Sequence, residues 1–141
     1  MKFALVFLAL VGSALAQSIT IFAPSANTTV AAGSSLVVDV EKKPGLSGPT
    51  DVSVVIGLQS CGADCKATAS SGAVGVPLFK GDYSPQITPG SGSSAGFQNY
   101  TVQVPSTLAK GPAVLTVAHF FLGGAALVPG TETVHTTIIV Q

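Results

Sequence analysis

The chain has 141 residues, 47 % of them hydrophobic and only 9 % charged, with six basic and six acidic side chains. That length suits one ordinary domain able to bury a core without metal or many disulfides. With no Arg and no basic stripe, the chain lacks what neutralises phosphates, which excludes a nucleic-acid binder and disfavours adhesion to an anionic membrane.

The first residues read as an export signal. Lys2 supplies a positive start, Phe3 to Val11 an apolar run, and Ala14-Leu15-Ala16 the small-x-small pattern of a cleavage site. The run breaks at Gly12-Ser13, short of the roughly 20 apolar residues that span a bilayer. Cleavage is expected between Ala16 and Gln17, which makes 1–16 a signal peptide and 17–141 a single secreted domain. The last residues, Ile138-Ile139-Val140-Gln141, do not resemble the polar spacer and long apolar tail of a lipid-anchor signal. The expected product is a free extracellular monomer.

Apolar residues then recur with a period of two. Ile19–Phe22 forms the first candidate strand; Leu36, Val38 and Val40 alternate with Val37, Asp39 and Glu41; Val52, Val54, Ile56 and Leu58 share one face of the next. Val74–Phe79 follows, then Tyr100, Val102 and Val104, then the nearly continuous run Ala113–Leu122. Val134, Thr136, Ile138 and Val140 close the series. Pro112 and the β-branched content make 113–122 a central strand rather than a helix. Segments 31–35, 43–49 and 89–96 are rich in Gly, Pro and Ser and read as turns and loops. No stretch carries a convincing helical period, and Ser106–Lys110 has room for one turn at most. The expectation is an all-β, immunoglobulin-like antiparallel β-sandwich of about seven strands.

Few residues suggest chemistry. Cys61 and Cys65 are the only cysteines, and in an exported chain they read as a disulfide closing a short turn. A zinc site lacks further ligands and a redox motif has the wrong spacing. Asn27-Thr28-Thr29 and Asn99-Tyr100-Thr101 are N-glycosylation sequons, with Asn99 on the polar face of its strand beside Thr101 and Gln103. His119 shares a face with Leu115, Val117 and Phe121, which favours a hydrogen-bonded core histidine; His135 lies beside Thr137 and Ile139. The carboxylates Asp39, Glu41, Asp51, Asp64, Asp82 and Glu132 are placed in loops or at strand ends. A glycosidase needs two carboxylates at a set separation, a pairing that sequence alone leaves open. There is no Trp to line a sugar cleft. No catalytic residue, cofactor or metal is expected, and the chain is read as a binding module rather than an enzyme.

Three segments carry a resemblance: Pro77-Leu78-Phe79-Lys80-Gly81-Asp82-Tyr83-Ser84-Pro85, Asn99-Tyr100-Thr101-Val102-Gln103-Val104-Pro105, and Gly111-Pro112-Ala113-Val114-Leu115-Thr116-Val117-Ala118-His119. With Pro129 and the last strand they resemble the necrosis-inducing secreted protein family of fungal effectors, over roughly residues 50–141. The resemblance implies a suppressor of plant pattern-triggered immunity whose partners are immune receptor kinases and their cytoplasmic partner kinases. It implies no catalytic residues. Ser18–Pro24 followed by Val30–Leu36 also resembles the opening of immunoglobulin-like domains in fungal cell-wall assembly proteins, although the Ser/Thr-rich tail of those proteins is missing. The alternative is therefore a structural or carbohydrate-associated wall protein, with a small-molecule carrier a distant third. The loop Pro89–Gly96 is the expected partner-binding segment.

Overall fold

The computed structural model describes residues 18–44, 48–90 and 93–141. The export signal and its junction at Ala16 and Gln17 lie outside the described residues. Two sheets pack face to face. Strands β1 (Ile19–Ala23), β3 (Ser35–Lys42) and β6 (Gly96–Gln103) make one, in the order β1-β3-β6. The other holds β2 (Thr29–Val30), β4 (Thr50–Ser60), β5 (Val76–Asp82), β7 (Gly111–Gly123) and β8 (Val128–Val140), in the order β2-β8-β7-β4-β5. This is the strand distribution of an immunoglobulin-like sandwich. The chain begins in one sheet and turns at the cis Ala23–Pro24 bond. It then joins the other as β2, whose pairing with β8 is parallel. That two-residue strand brings the total to eight, one more than periodicity suggests, because so short a pairing leaves no alternating pattern.

Alternation becomes burial because successive strand residues face opposite sides. Leu36, Val38 and Val40 of β3 are buried, as are Tyr100 and Val102 of β6, Val54, Ile56 and Leu58 of β4, and Val134, Ile138 and Val140 of β8. Val104, just past β6, joins them. Each such apolar side chain stabilises the fold by roughly 1.5–3 kcal/mol. Val52 is only half-buried: the β4–β7 register slips between Asp51 and Ser53, and the slip takes Val52 out of the inward series. Strand β7 is central, with β8 on one side and β4 on the other. Ala113, Leu115 and Val117 enter the core, while Val114 and Thr116 are buried on the outer side, where a short helix lies against the strand.

That helix, α1 (Cys65–Ser70), departs from the sequence expectation. Six residues are too few to show a 3.6 period. Its start is set by Asp64, whose side chain accepts from the Ala67 N–H at 2.8 Å, an N-cap bond. Residues 106–110 form a turn instead of a helical turn. Glu132 and Asp39 also depart from expectation: Glu132 sits well inside β8, paired with His119 of β7, and Asp39 inside β3, paired with Asn99 of β6, rather than in loops or at strand ends.

Candidate interaction surface

Register places four chain segments at one end of the sandwich. Ile19 pairs with Lys42 and Lys42 with Gly96, while Thr50 pairs with Leu122, Ser53 with Asp82 and Gly123 with Val128. The β3–β4 loop, the β5–β6 loop, the β7–β8 hairpin and Ser18, which leads into β1, therefore converge there. The disulfide, α1 and the C-terminus occupy the opposite end.

Beneath these loops lies a buried polar chain. Lys42 Nζ donates to Asp51 Oδ2 at 2.5 Å and to the Pro49 carbonyl at 2.9 Å. His119, its side chain fully buried, places Nε2 3.2 Å from Asp51 Oδ1 and Nδ1 2.9 Å from Glu132 Oε1. Facing a carboxylate acceptor, Nδ1 is the donor. Nε2 and Asp51 Oδ1 complete no hydrogen bond, and their contact is an ion pair only when the imidazole is protonated. Glu132 Oε2 accepts from the Ser18 backbone N–H at 2.7 Å, and Ser18 Oγ donates to Oε1. The Tyr83 ring meets His119 edge-on at 5.2 Å, and Phe121 lies 5.4 Å from its other side. Burial, and then Asp51 nearby, push the Tyr83 hydroxyl well above its ordinary value, so it stays a proton donor to the Val40 carbonyl at 3.3 Å. Tyr100, raised by burial and Asp82, donates to the Asp82 carbonyl at 3.1 Å.

This arrangement forms a clamp around His119. The imidazole fills the space between Asp51 and Glu132, whose side chains are 10 % and 9 % exposed. The clamp ties Ser18, the base of the β3–β4 loop and the β7–β8 pair to one another. Above it, a cleft of about 230 Å³ is lined by Lys42, Lys43, Pro44, Asp51, Pro85, Ile87, Ser94 and Gly96. Ile87 beside it, and Leu127 and Val128 on the hairpin, leave more than half their surface in solvent.

Most of the residues singled out in the sequence do not gather at this end. His135 is exposed and pairs with Thr116, so it does not meet His119. Asn99 is exposed on the outer face of the three-stranded sheet, directly opposite Asp39. Asn27 is exposed in a turn at φ 64°. Cys61 and Cys65 are bonded to each other, their Cα atoms 4.7 Å apart, at the far end of the molecule. Of the loop 89–96, residues 91 and 92 lie outside the described residues, while Pro89, Gly90, Ser93 and Ser94 are exposed. Sequence reasoning missed the polar chain and the hairpin tip. The only signal for the first was an isolated His within an apolar strand; for the second it was an uncharged stretch across a turn.

No curated protein matches the chain. The model of the Nis1 family matches residues 14–139, which takes in every strand of both sheets except the last residue of β8. The family pattern thus extends well before residue 50. It also covers the opening segment, 18–36, that resembles wall-assembly domains. Over nearly its whole length, then, this sandwich follows one pattern, and the chain belongs to the Nis1 family, a fungal effector-like family.

Proposed function

We propose that the protein is a secreted fungal effector that binds a protein partner through the loops at the Ser18 end. In this reading it dampens plant pattern-triggered immunity by engaging immune receptor kinases or their cytoplasmic partner kinases. The observation that carries the proposal is the family match over residues 14–139. Effector-family membership and the disulfide both suit export. The architecture suits binding as well, since loops held on a rigid β-scaffold are a recurrent recognition device. The bond between Cys61 and Cys65 closes a loop of only five residues away from the core, so the fold does not depend on it in a reducing plant cytosol. An unbiased pull-down from plant tissue with the mature chain 17–141 tests the proposal. Enrichment of receptor kinases is the expected result; their absence beside abundant wall polymer contradicts it.

One feature favours the alternative, a carbohydrate-associated wall protein. Phe22 is 66 % and Val37 49 % exposed on the β1-β3-β6 sheet, where Ser35 and Gln103 hydrogen-bond to each other at 2.9 Å. An exposed apolar ring on a sheet that also carries hydroxyl and amide groups is suited to stacking on a sugar. Depletion of the protein by insoluble chitin or glucan, abolished by Phe22→Ala, is the result that would favour this alternative.

A further inference from the structure

We propose that the tip of the β7–β8 hairpin seats in a concave apolar pocket of the protein partner, with Leu127 as its anchor. This rests on the interaction-protein reading above and assigns the contact within it. The strands end at the Gly123–Val128 pair, leaving a four-residue turn in which the Leu127 N–H donates to the Gly124 carbonyl at 3.2 Å.

Leu127 has φ 52°. In that left-handed region a β-carbon crowds the backbone, and Gly or Asn adopts it far more readily. Among the described residues the other non-glycine at positive φ is Asn27, the type that tolerates it. The fold gains little in return for the leucine, since its side chain is 55 % exposed and that of Val128 beside it 61 %. A bulky residue held in an unfavourable conformation, with its side chain in solvent, points to a role outside the fold.

The chemistry of the tip defines its complement. From Gly123 to Gly130 the sequence is Gly-Gly-Ala-Ala-Leu-Val-Pro-Gly, without one polar side chain. It is a narrow convex ribbon with no charge, so its counterpart is concave, apolar and uncharged. A lipid surface fits less well, because tips that enter membranes carry Trp, Tyr or basic residues and this one carries none. The hairpin is also braced before any partner arrives. His119 and Glu132 pair across the two strands four residue pairs below the turn, and the Phe121 ring lies over Gly130, where a β-carbon would come within 2.6 Å of it. Bracing of this kind reduces the ordering cost of binding.

The test uses the mature chain 17–141 and the purified cytoplasmic domains of plant immune receptor kinases, with affinity measured by interferometry. Leu127→Gly relieves the backbone and removes the anchor. Its melting temperature is expected to equal or exceed that of the wild type, while its Kd for the kinase domain weakens at least tenfold. Leu127→Met is expected to restore most of the affinity. Binding by Leu127→Gly within twofold of wild type overturns the assignment, and so does a drop in its melting temperature. Leu127-dependent sedimentation with phosphatidylcholine–phosphatidylserine vesicles, or a Leu127-dependent dimer in light scattering, overturns it in favour of lipid or a second copy. If the wild type binds no kinase domain, the functional proposal falls and this assignment falls with it.

Discussion

Glu132 and His119 face each other across the two longest strands, Oε1 to Nδ1 at 2.9 Å, and the same carboxylate holds the backbone N–H of Ser18 at 2.7 Å. One side chain thus joins the segment leading into β1, β7 and β8. Removing one member of a buried pair leaves the other uncompensated. Glu132→Ala is therefore expected to lower stability by about 3 kcal/mol, read as a shift in the urea midpoint at unchanged m-value. Glu132→Gln, which keeps an acceptor for Ser18, is expected to lose less. An unchanged midpoint in Glu132→Ala contradicts the clamp.

Asp39 gives a pH prediction. Its Oδ1 is buried without a hydrogen-bond partner, and desolvation raises its carboxyl above the ordinary value of 3.8. A raised carboxyl means that the folded state binds protons more readily than the unfolded one. Stability is then greatest below the ordinary value and falls as pH rises through the raised one. Asp39→Asn is expected to raise the melting temperature at pH 7, with the gain disappearing near pH 3. A variant less stable than wild type at pH 7 contradicts this account.

Gly57 is the tightest glycine position in β4. A β-carbon there would lie 2.3 Å from the Val74 carbonyl oxygen and 2.4 Å from its Cγ1, and a backbone atom does not yield cheaply. Gly57→Ala is expected to destabilise by about 1–3 kcal/mol, the usual range for overpacking. Thermal melting decides, and a neutral result means that the segment leading into β5 moves freely.

The cysteine pair should matter little to the fold. A five-residue loop is worth about 2 kcal/mol on chain-entropy grounds. The double variant Cys61→Ala, Cys65→Ala is expected to lose no more than about that and to bind as the wild type does. Loss of the native near-ultraviolet signal at 25 °C in that variant contradicts the prediction.

The parts legible in the sequence were those that depend on neighbours along the chain. Alternation at Val54, Ile56 and Leu58, or at Val38 and Val40, needs only the pleat, and these side chains are buried. Pro112 and the run after it marked β7 as central. What depended on pairing was hidden. Val52 was misplaced because a register slip is a property of two strands. Lys42, Asp51, His119 and Glu132 lie on β3, β4, β7 and β8, so no spacing announces that they meet. The left-handed backbone of Leu127 was invisible for a related reason: nothing in the composition says which residue of a turn must take the strained conformation. The parity of Asn99 could be read from the strand pattern alone, and it does lie on the exposed face.

In the proposed function this sandwich is a protein-binding effector module whose working surface is the end that carries Ser18, Ile87 and Leu127. The most direct measurement is interferometry of the mature chain 17–141 against immobilised immune receptor kinase domains, run beside insoluble chitin and glucan. Saturable binding to a kinase domain, with the protein left in solution by both polymers, is the predicted result. Retention on a polysaccharide with no kinase binding, or turnover of that polysaccharide at a rate proportional to protein concentration, would contradict it.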